Sequence, residues 1–104
     1  MKLRSVPPAL AMTVALAWLP SQAAVPPSEF QVAVWAASCM ACHGTDGKAD
    51  GTSLSLHGRS ADELLRALRA YRTGERPATI MHQHARGYTD AELELIAKYF
   101  ATRR

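Results

Sequence analysis

The 104-residue sequence predicts an all-α fold of three to four helices, and three observations carry that expectation. No stretch shows the sustained apolar/polar alternation of a strand. Three segments instead repeat apolar residues at helical spacing, each opened by a Ser or Thr with Glu or Gln three residues on. The intervening stretches are rich in Gly, Asp, Ser and Thr, which is loop chemistry.

Val25-Pro26-Pro27 is an extended leader, because proline disfavours helix for the residue before it. Ser28 and Gln31 form a capping box that opens the first helix, which runs to about Ser38 with Phe30, Val34 and Ala37 on one face. Gly44 to Ser60 is a long loop with Gly44, Gly47, Gly51 and Gly58; such a length in a small domain needs a reason, and wrapping a ligand is one. Ser60 with Glu63 opens a second helix carrying Leu64, Leu65, Leu68 and Tyr71, and Gly74 is placed just past its end. Glu75 to Tyr88 is a second loop, containing Pro77, Met81, His82, His84 and Gly87. Thr89 with Glu92 opens the last helix, whose Leu93, Ile96 and Phe100 make the inward stripe, with Leu95 and Tyr99 extending the apolar surface around the side. There is no internal repeat and no low-complexity segment.

The first residues read as a targeting signal rather than as part of the domain. Met1, Lys2 and Arg4 give a basic start, Ala9 to Leu19 is a mostly apolar run, and Pro20 to Ala24 supplies a break and small residues, the layout of a secretory signal cut after Ala23 or Ala24. The run falls well short of the roughly 20 residues that span a bilayer, so an uncleaved anchor is the lesser reading and no stable membrane insertion is expected after cleavage. No Arg pair stands in the basic region, which favours the general secretory route. The expected organisation is residues 1–23 as signal and 24–104 as one domain, with a periplasmic location. Cleavage removes Lys2 and Arg4, taking 12 basic and 9 acidic groups to 10 and 9, so the formal +3 falls to +1 and gives no reason to expect nucleic acid as a partner. The Arg66, Arg69, Arg72, Arg76 series has the spacing of a solvated helix face.

A domain of about 80 residues has a marginal core and commonly needs a staple. A Cys39–Cys42 disulfide would close too short a loop to constrain the unfolded chain much. Cys39-Met40-Ala41-Cys42-His43 is instead the c-type haem attachment sequence, in an exported chain. Two thiols two residues apart reach the two vinyl groups on one porphyrin edge, and the adjacent His43 is held as the proximal iron ligand. Dithiol redox chemistry normally sits at a helix start in an α/β domain, which this strand-poor chain does not build. A zinc site needs a further ligand pair at regular spacing, which His57, His82 and His84 do not offer.

Once residues 1–23 are set aside, only Met40 and Met81 remain as thioethers, and Met40 lies inside the attachment turn, unable to reach the opposite haem face. Met81, 81 − 43 = 38 residues past His43, is the thioether placed to be the sixth ligand; His82 and His84 are the rivals, and ordinary core packing of Met81 is the alternative. His/Met ligation raises the reduction potential relative to His/His and fills the site where oxygen would bind, which points to electron transfer. A backbone carbonyl from Leu54-Ser55-Leu56 is expected to hold the other ring nitrogen of His43. Leu54, Leu56 and Leu64 are candidates for the wall around the ring; Trp35 is expected to pack on the first helix, and Tyr88 to anchor the distal loop.

The segment Cys39 to Gly47, with Gly58 and Tyr71-Arg72-Thr73-Gly74, resembles a class I c-type cytochrome. Thr79-Ile80-Met81-His82, Ala85 to Asp90 and Ala97-Lys98-Tyr99-Phe100 are similar to the cytochrome subunit of flavocytochrome c sulfide dehydrogenase and to related small periplasmic monohaem cytochromes. The resemblance implies one covalent haem c on Cys39 and Cys42, His43 and Met81 as axial ligands, and a non-catalytic carrier that takes electrons from a sulfide-oxidising flavoprotein. A free diffusible carrier donating to a terminal oxidase or other respiratory enzyme is the alternative. The family often has proline where Leu54 stands here; a leucine carbonyl still accepts from His43.

Overall fold

The computed structural model describes residues 23–51 and 54–103. All but the last residue of the expected signal segment therefore lies outside the described residues. Four helices follow one another, α1 Glu29–His43, α2 Ala61–Thr73, α3 Met81–Arg86 and α4 Asp90–Ala101, with a short 3₁₀ turn at Thr45–Gly47. No strand occurs among the described residues.

The helix starts are set by hydroxyl caps at the three expected positions. Ser28 accepts from the Gln31 N–H, Ser60 from the Glu63 N–H and Thr89 from the Glu92 N–H. Only at Thr89 is the box reciprocal, the Glu92 carboxylate accepting the Thr89 N–H at 2.7 Å. Thr89→Ala is expected to cost about 1 kcal/mol, read as a fall of roughly 4–8 °C in the thermal midpoint. Gly74, left-handed at φ 82°, follows the end of α2 as expected.

Two elements depart from the sequence reading. The first helix continues past Ser38 to His43, because nothing stops it before Gly44, whose φ of 82° takes the chain out of helix. The expected loop from Glu75 to Tyr88 contains α3, a short helix whose start has no side-chain cap, so no local signal marked it.

The face of α1 carrying Phe30 and Val34 turns to solvent, at 79% and 48% exposure, and Ala37 is exposed with them. Ala36 is fully buried in their place, with Cys39 and Met40 packed behind it. Small and polarisable groups on this face bring α1 close to α4, and they carried too little hydrophobic contrast to be read against Phe30 and Val34. On α4 the expected stripe holds: Leu93, Ile96 and Phe100 are buried, with Ala97 between them. Full burial of Phe100 and Leu93 contributes on the order of 1.5–3 kcal/mol each. α4 is the shared wall, packing on α1 and on α2, while α3 lies against α2. Arg69 grips Asp90 with both guanidinium arms, linking α2 to α4 and holding the Asp90 carboxyl below the usual carboxylate range. The arginine series is therefore not purely solvated.

Candidate functional site

The last turn of α1 places Cys39, Cys42 and His43 at i, i+3 and i+4, on one face of the helix. That face opens into an apolar cleft, the kind of lining a largely apolar cofactor takes. Its wall is made by every element: Cys39 and His43 from α1, Leu54 and Leu56 from the middle loop, Leu64 and Leu68 from α2, Met81 from α3, and Phe100 from α4. An adjoining recess adds Cys42, Ile80 and His84 beside Cys39, His43 and Met81. The predicted site residues Cys39, Cys42, His43 and Met81 thus meet at one place.

His43 is oriented by its Nδ1–H, which donates to the Leu54 carbonyl oxygen, one of the three carbonyls expected for this role. That bond fixes the tautomer and leaves Nε2 as the free basic nitrogen. The Leu54 carbonyl is held in place from below. Three donors converge on the Gly47 carbonyl: the Leu56 N–H at 2.8 Å, the His57 N–H at 3.1 Å and the Ser55 hydroxyl at 2.8 Å. These bonds stiffen the loop at the point where relatives of the expected kind often use proline. Gly47 itself has φ 79°, and an added Cβ would stand 2.9 Å from Leu56 Cβ and 3.0 Å from Phe100 Cδ1.

The cysteines are free; burial pushes the Cys39 thiol up, and Cys42 is exposed. A reactive dithiol sits at the positive end of a helix, which lowers a thiol pKa. Here the pair occupies the closing turn instead, and the inner thiol is shifted the other way. No group of three or more His, Cys, Asp and Glu residues gathers as a metal cage among the described residues.

Of the two rival ligands, His84 borders the recess and His82 lines neither space; His57 lines neither as well. His57 is half-buried, and its Nδ1 is enclosed without a hydrogen-bond partner among the described residues. Met40 packs in the core and borders neither space. Trp35 also packs against the core, with its edge toward Tyr88. Leu54, Leu56 and Leu64 line the cleft as expected.

The sequence reading missed the polar rim. Arg59, Glu63 and Arg76 border an otherwise apolar cleft. Arg59 donates from Nε to the Ser55 carbonyl at 2.9 Å and from Nη1 to Glu63 at 2.6 Å, and the Arg76 guanidinium lies 5.1 Å from the Tyr71 ring centre. The four-residue spacing of Arg59 and Glu63 was the available signal.

A small helical shell around an apolar cleft, with two thiols and an oriented imidazole on its wall, defines a protein built around one covalently attached porphyrin. The fit is chemical as well as spatial: a flat apolar ring needs these leucines and Phe100, and its carboxylates need cations such as Arg59 and Arg76. The chain belongs to the cytochrome c family, whose model matches residues 32–103, and it is a haem c protein that transfers electrons. It is 40% identical over 75 residues to the cytochrome subunit of sulfide dehydrogenase from Chlorobaculum tepidum, covering 72% of this chain and 68% of that one. It is 38% identical over 69 residues to cytochrome c-554(548) of Halomonas halodenitrificans, covering 62% of this chain and 83% of that one. The thiosulfate dehydrogenase electron acceptor of Stutzerimonas stutzeri is 42% identical over 67 residues, 61% of this chain and 31% of that protein.

Proposed function

We propose that this protein is the periplasmic cytochrome subunit that accepts electrons from a sulfide-oxidising flavoprotein, exported by residues 1–23 and catalysing no reaction of its own. Cys39 and Cys42 would hold the haem through thioethers, and His43 Nε2 and the Met81 sulfur would ligate its iron. The observation that carries the ligand set is the meeting of Cys39, His43 and Met81 on the wall of one cleft, with His43 Nδ1–H bonded to the Leu54 carbonyl. The likeness to the Chlorobaculum tepidum sulfide dehydrogenase subunit supports the partner.

Bound haem supplies a one-electron iron couple. The chain's residues set how that couple behaves. The Leu54 carbonyl keeps the His43 ring oriented and its far nitrogen electron-rich. Met81 offers a soft sulfur, which favours the reduced metal, and occupies the place an external ligand would take. Leu64, Leu68 and Phe100 would exclude water from a bound ring, and Arg59 and Arg76 could meet its carboxylates. No helix among the described residues is long and apolar enough to cross a membrane.

The partner is tested by isolating the mature protein from its host. It should co-purify with a flavin-containing chain and be reduced when sulfide is added to the pair. A haem protein isolated alone and left oxidised by sulfide, with or without that chain, would exclude the subunit role and favour the free carrier. Met81→Ala should lower the reduction potential and let the reduced protein bind carbon monoxide stoichiometrically at neutral pH, as read from the visible spectrum. If the wild-type protein already binds it as readily, Met81 is not the ligand.

A further inference from the structure

The segment 75–88, which carries Met81, is fastened on two sides. Toward α2, the Arg76 N–H donates to the Ala70 carbonyl at 3.0 Å, Arg86 Nε donates to the Arg72 carbonyl at 3.4 Å, and Ala85 is buried. Toward α1, a single hydrogen bond among the described residues makes the link, between Tyr88 Oη and Ser38 Oγ at 3.1 Å, 50 positions apart in sequence. The Trp35 ring stands edge-on to Tyr88, with centres 6.3 Å apart and planes at 66°.

The direction of that bond follows from counting protons. The Trp35 carbonyl, which can only accept, lies 2.7 Å from Ser38 Oγ, and Ser38 has one hydroxyl hydrogen. Ser38 therefore donates to Trp35, and the Tyr88 phenol donates to Ser38. The receiving serine directly precedes Cys39, on the helix that also carries His43.

We propose that Tyr88 is a positioning residue whose hydroxyl clasps the Met81 segment to α1, and so would keep the sulfur in place as an iron ligand. This rests on Met81 being the sixth ligand. Swinging the segment away from the cleft must break the Tyr88–Ser38 bond. Without it, the hold of α1 on the segment falls to the packing of the Tyr88 ring against Trp35, and an external ligand displaces Met81 more easily. A net hydrogen bond of ordinary strength predicts a roughly two- to twelvefold gain in external-ligand affinity.

The test uses the oxidised holoprotein, titrated with imidazole while the far-red methionine-to-iron charge-transfer band is followed. Tyr88→Phe keeps the ring against Trp35 and removes only the hydroxyl. It should show the band without imidazole and lose it at a roughly two- to twelvefold lower imidazole concentration than wild type. Ser38→Ala, which also removes the local bond to the Trp35 carbonyl, should shift it in the same direction, and the double variant should shift no further than the larger single shift, since both changes delete the Tyr88–Ser38 bond. A variant that merely loosened the fold would add its effect to the other. Ser38→Ala carries the test alone if Tyr88→Phe does not accumulate. A wild-type protein without the band removes the Met81 ligation on which the proposal stands. A wild-type protein with the band, and singles whose midpoints match it or a double whose shift is the sum of theirs, overturns the clasp itself.

Discussion

Replacing Cys39 and Cys42 together by alanine is expected to leave a chain with no covalent haem and most of its helix lost at 25 °C. Of the seven buried apolar residues among those described, Ala36, Ala85 and Ala97 are alanines, so only Leu64, Leu93, Ile96 and Phe100 bury sizeable side chains. Other large apolar groups, Leu56, Leu68 and Tyr71 among them, are half-buried and face the cleft. Their burial depends on what fills it. Ordering each residue's backbone opposes folding by about 1–2 kcal/mol, and net stabilities are about 5–15 kcal/mol, so losing the largest apolar contact in so small a core removes the margin. Haem staining after denaturing electrophoresis and far-ultraviolet circular dichroism read the two effects. A colourless double variant that keeps the helical signal and cooperative unfolding of the wild type would show that the cleft needs no filling for the chain to fold.

Gly44→Ala is expected to destabilise the haem protein by more than about 3 kcal/mol, although it adds a single methyl group. At φ 82° and ψ 163° Gly44 occupies backbone space open almost only to glycine, where another residue costs on the order of 1–3 kcal/mol. The new Cβ would also overlap the Lys48 carbonyl oxygen, a backbone atom that no rotamer change moves aside. Relief requires opening the turn that leads from His43 to Gly47, the turn on which the middle loop is fastened. Thermal unfolding should show a midpoint lowered by more than about 10 °C. Gly51→Ala is the reference, since nothing lies within 4 Å of the Cβ it would add. If the two variants melt together, the Gly44 turn is not under the constraint described.

Readability from sequence followed how local each signal was. The three hydroxyl caps and the stripe Leu93, Ile96 and Phe100 are patterns within a few residues, and they appear where expected. The attachment sequence is local too, which is why Cys39, Cys42 and His43 could be singled out. The inner face of α1 was misjudged in kind. Its buried members are Ala36, Cys39 and Met40, while the more conspicuous Phe30 and Val34 face outward, so side-chain size pointed the wrong way. α3 escaped notice because six residues with two histidines and no capping side chain carry no periodic signal. Arg59, Glu63 and Arg76 join the cleft only through the packing of α2 against the loop and α3, a tertiary fact that spacing alone did not contain. The Leu54 carbonyl was anticipated as one of three because the histidine's need for an acceptor is chemical, whereas the choice among neighbours depended on the convergence at Gly47.

That convergence separates two things that a loop usually couples, its length and its aim. The chain is gripped at Gly47 and gripped again at Ser55 to His57, so a change of length in the stretch between these grips need not move the Gly47 contacts that fasten the loop. Doubling the length of a loop adds only about 0.6 kcal/mol of closure entropy. The metal's environment is thereby insulated from drift in this part of the gene, and descendants are free to vary here, growing or shedding surface ornament without retuning the couple.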